Sequence, residues 1–308
     1  MKNNKSRKIS ISIISGFLGS GKTTLLTHYI SELLKIDEKI KVIMNEFGSF
    51  DVDSQNLDSN IEVRSIINGC VCCDLKTDLI NQIQSLIQKD DCNHIIIEAT
   101  GVANPIEIFA ACQDPTIVDN IDMPQIISVV DVERFLNRND YTSSTQTLME
   151  EQLEMSDLLV INKMDCVDFE EINKIENEIN KINPSAPHIL TTYGKFDISQ
   201  LRNQTDKTTK LHQHHHHHGI ISMKYTFTSP IDRQLFYQFI MQLPKNVLRL
   251  KGYLKFRDNP NETIEFQYSY GLPDFGAIAK EMPLTIVIIG EHIDVNRLRN
   301  KLDMLQFT

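Results

Sequence analysis

Two short segments contain the residues that could bind a nucleotide and a metal ion. Residues 16–23 have the sequence GFLGSGKT, the glycine spacing of a loop whose backbone amides wrap phosphate groups. A strand-like apolar run precedes this loop and a helix-like pattern follows it, so Lys22 is expected to reach the terminal phosphates and Thr23 to bind magnesium. Residues 70–73 have the sequence CVCC, and three clustered thiols suit a soft metal such as zinc. The sequence therefore predicts a nucleotide site and a thiolate metal site in one domain.

A carboxylate is predicted to complete the phosphate site. Glu98 follows the apolar run 95–97, which places it at the carboxyl end of a parallel strand, where open α/β sheets bind ligands. Glu98 can assist magnesium through a water molecule, although a lone acid at a strand end can also serve only as a helix cap. Lys22 and Glu98 are candidate catalytic residues. The predicted nucleotide contacts of the loop are Gly16, Gly19, Ser20, Gly21, Lys22, Thr23 and Thr24.

The base is predicted to be guanine. Asn162, Lys163 and Asp165 belong to the tetrad NKMD, which ends another apolar strand. The Asp165 carboxylate can accept hydrogen bonds from two purine nitrogens while the Lys163 stem covers the ring, and adenine lacks the matching donors. Taken alone, the tetrad could instead be a turn in which Asp165 caps the following helix. Residues 191–194 follow one further predicted strand and are candidates for backbone contacts to the base.

The three thiols predict an exchangeable metal site. Cys70, Cys72 and Cys73 supply three ligands, whereas a closed structural zinc site has four, so Glu46, a histidine, water or a client protein would complete the coordination. A helix expected to begin near Asp74 would place its positive end beside the sulfurs and lower their pKa. In the alternative interpretation, one or two of these cysteines pack as small apolar residues.

A histidine run and three isolated cysteines lie outside these motifs. The run His214, His215, His216, His217 and His218 offers imidazoles that bind zinc, nickel or copper, and it predicts a metal-capturing linker. Cys92, Cys112 and Cys166 are isolated and are expected to be buried rather than to bind metal.

Composition and charge narrow the function classes. With 308 residues and 41% apolar content, the chain can form one large core or two domains. Forty-one acidic and 31 basic residues leave a net charge of −10 without a basic stripe, so nucleic acid is not an expected partner. The apolar run 9–15 is too short for a signal peptide or a membrane span. Clustered cysteines suit a reducing compartment, so a cytoplasmic location is expected, with no membrane partner.

The elements that position these residues follow from apolar periodicity. Apolar runs at 9–15, 40–44, 95–97, 126–130 and 158–161 alternate with helical stripes, which predicts an α/β domain with a mostly parallel sheet. A polar stretch separates it from runs at 224–228, 249–256, 264–270 and 285–289, which with two helices predict a smaller α+β domain. The predicted divisions are a P-loop domain at 1–201, a His-rich linker at 202–219 and a C-terminal domain at 220–308.

The order of these motifs resembles a known family. The phosphate loop, NEFG at 45–48, GCVCC at 69–73, EATG at 98–101 and NKMD at 162–165 are similar to the CobW-like P-loop GTPases, which are proposed metallochaperones. RLKGYLKF at 249–256 resembles the C-terminal-domain motif of that family, and His-rich interdomain linkers recur there. The resemblance covers nearly the whole chain.

The resemblance implies GTP and magnesium binding, slow hydrolysis to GDP, and nucleotide control over zinc, with cobalt or nickel as alternatives, held by the cysteine loop for a client metalloprotein. The segment 49–54 departs from the family pattern, although Asp53 supplies the acidic residue that the pattern has there. We expect Glu46 and Asp53 to lie on a switch segment ordered by the γ-phosphate, and both are catalytic candidates.

Two other functions remain open at this point. One is a zinc-buffering or storage protein whose nucleotide site is regulatory. The other is a small-molecule kinase, which the guanine tetrad and the lack of a recognisable acceptor site disfavour. The physiological metal, the client and the oligomeric state are also open, with a metal-induced dimer as one arrangement.

Overall fold

The computed structural model describes residues 8–44, 62–65, 72–197, 219–269 and 271–307, with the backbone alone for 62–65 and 72–75. Several predicted site residues lie outside the described residues: Glu46, Asp53, Cys70 and the tract His214 to His218. The described residues form two compact units. The second unit combines Gln113–Asp119 with the residues from Gly219 onward, and the remaining described residues belong to the first.

A parallel sheet forms the centre of the first unit. Its described strands lie in the order β3-β2-β4-β1-β5-β6-β7, and every described pairing is parallel. The bounds are β1 Ser10–Ser15, β2 Ile40–Met44, β3 Glu62–Ser65, β4 His94–Glu98, β5 Gln125–Asp131, β6 Leu158–Asn162 and β7 His188–Leu190. Runs of isoleucine, leucine and valine favour such strands because both faces of the sheet are covered by helices.

Helices connect these strands. They are α1 Lys22–Leu34, α2 Cys72–Lys89, α3 Pro105–Cys112, α4 Val132–Leu136, α5 Ser143–Glu154 and α6 Phe169–Ile182, with 3-10 turns at Arg138–Asp140 and Met164–Cys166. The apolar stripe of α1 packs on the sheet, where Leu26 and Ile30 are fully buried against Ile14 and Val160. The predicted α/β class and mostly parallel sheet are confirmed.

An antiparallel sheet forms the second unit, with its described strands in the order β11-β10-β9-β12-β8. The strands are β8 Ile220–Thr226, β9 Val247–Phe256, β10 Asn259–Ser269, β11 Leu272–Ile278 and β12 Thr285–Glu291, and the helices are α7 Arg233–Met241 and α8 Val295–Phe307. Its core includes Phe236, Phe256 and Phe266, each fully buried. The predicted α+β class of this part is confirmed.

Several elements differ from the sequence expectation. Strand β8 begins at Ile220, four residues before the predicted start, and β11 was not expected because its proline and glycine disfavour strands. Helix α2 begins at Cys72, two residues before the start expected near Asp74, so Asp74 lies inside the helix and is not its cap. Helices α3, α4 and α5 were not predicted individually. None of the helices in the described ranges has the length and apolar character that a membrane crossing requires.

Candidate nucleotide and metal sites

The phosphate loop joins β1 to α1 and depends on glycine. Gly16 has φ 133° and Gly21 has φ 101°, values in the left-handed region that disfavour other residues. A Cβ atom on Gly16 would lie 2.3 Å from the Val129 carbonyl oxygen, and one on Gly21 would lie 2.5 Å from Nδ2 of Asn162. The sequence therefore folds here into a tight loop that only glycine fits at these two positions.

The mouth of this loop can accept an anion. Helix α1 begins at Lys22, and the residue before it, Gly21, supplies no side-chain cap, so the first amides of the helix can serve a ligand. The Lys22 ammonium donates to the carbonyls of Gly16 at 2.9 Å and Phe17 at 3.2 Å, which holds it over the loop. Ser20 is fully buried, so its expected nucleotide contact would come from its backbone, and Thr24 lies exposed in the first turn of α1.

Thr23 and Glu98 meet at the end of the sheet. Strand β4 lies beside β1 and pairs Glu98 with Ile14, which brings the carboxylate next to the start of α1. The Thr23 hydroxyl donates to Oε1 of Glu98 at 2.9 Å, although the two residues are 75 positions apart in sequence. A hydroxyl and a carboxylate are hard oxygen ligands, so this pair fits magnesium.

The loop that follows Glu98 packs against the phosphate loop. A Cβ atom on Gly101 would lie 2.6 Å from the Leu18 amide nitrogen, so the two loops are in close contact. Gln152 of α5 is buried and donates to the carbonyls of Ala103 at 3.1 Å and Gly101 at 3.3 Å. Sequence reasoning missed Gln152 because one amide within a polar helix carries no motif.

Asn162 joins the base side of the site to the phosphate loop. Its amide Nδ2 donates to the Ser20 carbonyl at 3.0 Å, and its Oδ1 accepts from Thr191 Oγ1 at 3.1 Å and the Gly194 amide at 2.9 Å. The side chain is buried with 2% exposure. Asn162, which the sequence had placed at the base, therefore ties the end of β6 to two loops, the phosphate loop and the loop at 191–194.

Asp165 lies exposed in the 3-10 turn Met164–Cys166. The alternative in which it caps the next helix does not hold, because the N-cap of α6 is Asp168, whose carboxylate accepts from the Glu171 amide in a capping box. The Asp165 carboxylate is therefore not the cap of α6, and the alternative role considered for it in the sequence is removed.

Asp131, at the end of β5, is a buried acid that the sequence analysis did not select. It lies beside the phosphate loop and pairs with Lys163 at 2.5 Å. A pattern in the sequence could have identified Asp131, because β4, β5 and β6 each end in a polar residue, namely Glu98, Asp131 and Asn162. A cavity of about 20 Å³ nearby, lined by Phe17, Asp131 and mainly apolar side chains, has room for one water molecule but not for a nucleotide.

The backbone places two motif cysteines at the start of a helix. Cys72 and Cys73 are the first residues of α2. Six residues separate the end of strand β3 from the start of this helix. Strand β3 pairs Ser65 with Met44, which in turn pairs with Glu98. With two strand spacings between β3 and β4, their ends lie about 10 Å apart. Among the side chains that the structure describes, no three histidines, cysteines or acids form a group able to hold a metal ion.

The isolated cysteines divide into two kinds. Cys92 and Cys112 are buried as expected, and burial raises the pKa of the Cys112 thiol far above its ordinary value. Cys166 is exposed, so the expectation that it is buried is wrong. The reason is the 3-10 turn, which places this residue on the surface beside Asp165.

A buried histidine supports the sheet beneath α1. His94 is 8% exposed, and burial lowers its pKa to about 4, so its ring is neutral at pH 7. The ring forms a hydrogen bond with Ser12 Oγ at 2.9 Å, and Ser12 lies 3.1 Å from the Tyr29 hydroxyl of α1. This group is structural, since its polar atoms are paired with one another within the core.

Comparison with known families gives two matches that together cover most of the chain. Residues 10–190 match the model of the CobW/HypB/UreG nucleotide-binding domain. Residues 220–306 match the model of the C-terminal domain of the cobalamin synthesis protein cobW.

Individual relatives have related names. Zinc chaperone CobW of a Sinorhizobium species is 29% identical over 59% of this chain and 58% of its own length. Zinc-regulated GTPase metalloprotein activator 1 of Saccharomyces cerevisiae is 30% identical over 63% of this chain and 51% of its own length. The chain thus spans about half the length of these curated relatives. Zinc chaperone YjiA of Escherichia coli is 27% identical over 83% of this chain and 85% of its own length.

A solved structure shares the fold. The crystal structure of the Zn(II)-bound YjiA GTPase from Escherichia coli superposes with a TM-score of 0.51 at 23% identity, covering 97% of this chain and 99% of that chain.

Proposed function

Because the chain belongs to the CobW/HypB/UreG family, we propose that it is a GTP-hydrolysing metallochaperone. In this proposal it binds zinc, or a related transition metal, and delivers it to a client metalloprotein under nucleotide control. The observation that carries the proposal is the convergence of the glycine loop, the Thr23 and Glu98 pair and Asn162 at one edge of the parallel sheet. The names of the relatives, zinc chaperones and a zinc-regulated GTPase, support the metal part.

The triphosphate would be held by the loop amides and by Lys22. The Lys22 ammonium has two neutral carbonyl partners in the loop, Gly16 and Phe17. A phosphate oxygen is a charged acceptor and forms a stronger hydrogen bond with an ammonium than a carbonyl does. Lys22 would therefore turn from the loop to the terminal phosphates and stabilise the negative charge that develops there during hydrolysis.

Magnesium is expected beside the same phosphates. Thr23 and Glu98 would hold it, Thr23 directly and Glu98 through water, because their oxygens already lie 2.9 Å apart. When bound, magnesium neutralises charge on the phosphate oxygens during transfer. Glu98 and Lys22 are our catalytic assignments in the described part. Glu46 and Asp53 remain proposed catalytic residues of a nucleotide-sensing segment outside it.

Guanine would be recognised at the end of β6. Asp165 is exposed and is not the cap of α6, so its carboxylate is available for the two purine donors. Lys163 would cover the ring with its stem, and Asn162 would hold the phosphate loop next to the base site through Ser20. These three residues support GTP rather than ATP as the substrate.

Metal affinity would respond to the nucleotide through the edge of the sheet. The end of β3, which leads to the cysteine loop, lies about 10 Å from the end of β4 that carries Glu98. We propose that the γ-phosphate orders the segment between β2 and β3 and so changes how Cys70, Cys72 and Cys73 bind zinc, with cobalt or nickel as alternatives. Coupling is reciprocal, so zinc must change GTP affinity by the same factor.

The remaining parts of the proposal concern the metal's route. His214 to His218 would capture metal ions in the linker. The proposed divisions of the chain are a P-loop domain at 1–201, this linker at 202–219 and a C-terminal domain at 220–308. A cytoplasmic location fits the clustered thiols, because a reducing compartment keeps cysteines free to bind metal. A metal-induced dimer is the arrangement in which a second copy would complete the coordination left open by three cysteines.

Phosphate release from GTP, measured with and without one equivalent of zinc, tests the proposal. The wild-type protein should form GDP and phosphate without a third phosphorylated product, and zinc should change kcat. Lys22→Ala should lower kcat by about 100-fold, the usual effect of removing one such charge-stabilising donor. A Cys70→Ser, Cys72→Ser, Cys73→Ser variant should keep basal hydrolysis and lose the zinc response.

The exposed Cys166→Ser variant is the matched control and should behave as wild type. Zinc-independent hydrolysis in the wild-type protein would favour the buffering alternative over delivery. Transfer of the phosphoryl group to a small molecule would contradict the GTPase assignment.

A further inference from the structure

A buried carboxylate with several partners lies next to the phosphate loop. Asp131 ends β5, and its side chain is 3% exposed. Its Oδ1 accepts from the amides of Glu133 at 3.1 Å and Arg134 at 3.2 Å, which caps α4. Its Oδ2 lies 2.5 Å from Nζ of Lys163 and 3.5 Å from Nε of Arg134. One carboxylate therefore ends a strand, caps a helix and pairs with two cations.

Lys163 is held in an unusual conformation. Its φ is 64°, in the left-handed region, which a lysine adopts only when its surroundings favour it. The Asp131 carboxylate restrains the ammonium of this half-exposed side chain, so the direction of the aliphatic stem is restrained as well. The proposed platform for the purine ring is thereby set before a nucleotide arrives.

Arg134 connects the same carboxylate to the phosphate loop. Its guanidinium carbon lies 5.9 Å from the centre of the Phe17 ring, and a Cβ atom on Gly19 would lie 3.2 Å from Nη2 of Arg134. Strand β5 flanks β1 on one side, whereas β4, which carries Glu98, flanks it on the other. The Asp131 group is therefore on the base side of the loop, away from the proposed magnesium pair.

We propose that Asp131 is a positioning residue for the guanine nucleotide, which fixes Lys163 beside the base and so increases both affinity and selectivity for guanine. An unrestrained lysine would lose side-chain freedom when the base binds, and Asp131 removes much of that loss in advance. The inference rests on the proposed function, because it requires that residues 162–165 contact guanine.

Asp131→Asn tests this inference, because asparagine keeps an oxygen for the α4 cap and removes the charge that pairs with Lys163. GDP and GTP affinity should both fall by about tenfold, a change of about 1.4 kcal/mol, and the preference for GTP over ATP should narrow. The kcat of saturated enzyme should change little. The Asp131→Asn effect on GDP affinity should disappear in a Lys163→Met background, since Asp131 would act through that ammonium.

Asp168→Asn is the matched control. Asp168 caps α6 through the Glu171 amide at 2.9 Å, so the same change removes a capping charge from a different helix. It should leave nucleotide selectivity unchanged. Urea unfolding of both variants shows whether they are folded, and the affinity comparison is made on protein below its unfolding transition.

Failure of this inference can be told apart from failure of the proposed function. Asp165→Asn replaces the proposed guanine acceptor with a donor and should shift preference from GTP to xanthosine triphosphate. If it does, and Asp131→Asn matches the Asp168→Asn control, the inference about Asp131 is wrong. If Asp165→Asn leaves the preference unchanged, the guanine assignment itself is wrong.

Discussion

Asn162→Ala should loosen the nucleotide site and destabilise the first unit. The substitution removes three buried hydrogen bonds, to the Ser20 carbonyl, Thr191 Oγ1 and the Gly194 amide. At about 1 kcal/mol for each bond, and with two backbone groups left without this partner in a buried place, the free energy of unfolding should fall by about 3 kcal/mol. GDP and GTP affinity should fall together, because the loop residues that wrap the phosphates lose their support.

Urea unfolding followed by circular dichroism measures this change, and fluorescent GDP titration measures the affinity. With an m-value of about 2 kcal/mol per molar urea, the midpoint should shift down by about 1.5 M. Asn173→Ala is the control, since Asn173 is exposed and its amide donates to the Phe169 carbonyl at 3.0 Å on the surface of α6. A loss of less than about 1 kcal/mol for Asn162→Ala, with wild-type GDP affinity, would refute the reasoning.

Three further predictions concern the described part of the first unit. Gly21→Ala places a Cβ at φ 101° and 2.5 Å from an amide nitrogen, so GDP binding should be lost and calorimetry should show a lower Tm. His94 has a pKa of about 4 in the folded protein and an ordinary pKa of 6.5, so between these pH values the unfolded state binds a proton that the folded state does not. The free energy of unfolding should therefore be about 2 kcal/mol lower at pH 5 than at pH 7. Urea titrations measure this difference, and His94→Gln should remove it. In a variant without the three motif cysteines, a thiol reagent should modify Cys166 rapidly, and Cys92 and Cys112 only after unfolding; rapid reaction of all three would contradict the burial.

The parallel sheet could be predicted because its strands are continuous apolar runs with both faces covered. The phosphate loop could be predicted equally well, since all its residues are adjacent in sequence and glycine spacing determines its geometry. The proximity of Thr23 and Glu98 could also be predicted, because parallel strands bring their carboxyl ends to one edge of the sheet, whatever their separation in the chain.

Other features depend on tertiary contacts that periodicity does not contain. Helix α5 has few apolar positions, and the role of Gln152 arises only where that helix meets the loop after β4. Asp131 differs from Glu98 because it has no surrounding motif, so its pairing with Lys163 required the structure. Strand β11 contains Pro273 and Gly276, which a sheet tolerates at its edge but which local propensity disfavours.

In the proposed function, the bound nucleotide controls metal affinity. Zinc dissociation constants measured by competition with a chelator, for protein saturated with GDP or with a non-hydrolysable GTP analogue, test it most directly. The two nucleotide states of the wild-type protein should have different zinc dissociation constants, and the Cys70→Ser, Cys72→Ser, Cys73→Ser variant should show no difference. Equal zinc affinity in both nucleotide states of the wild-type protein would contradict it.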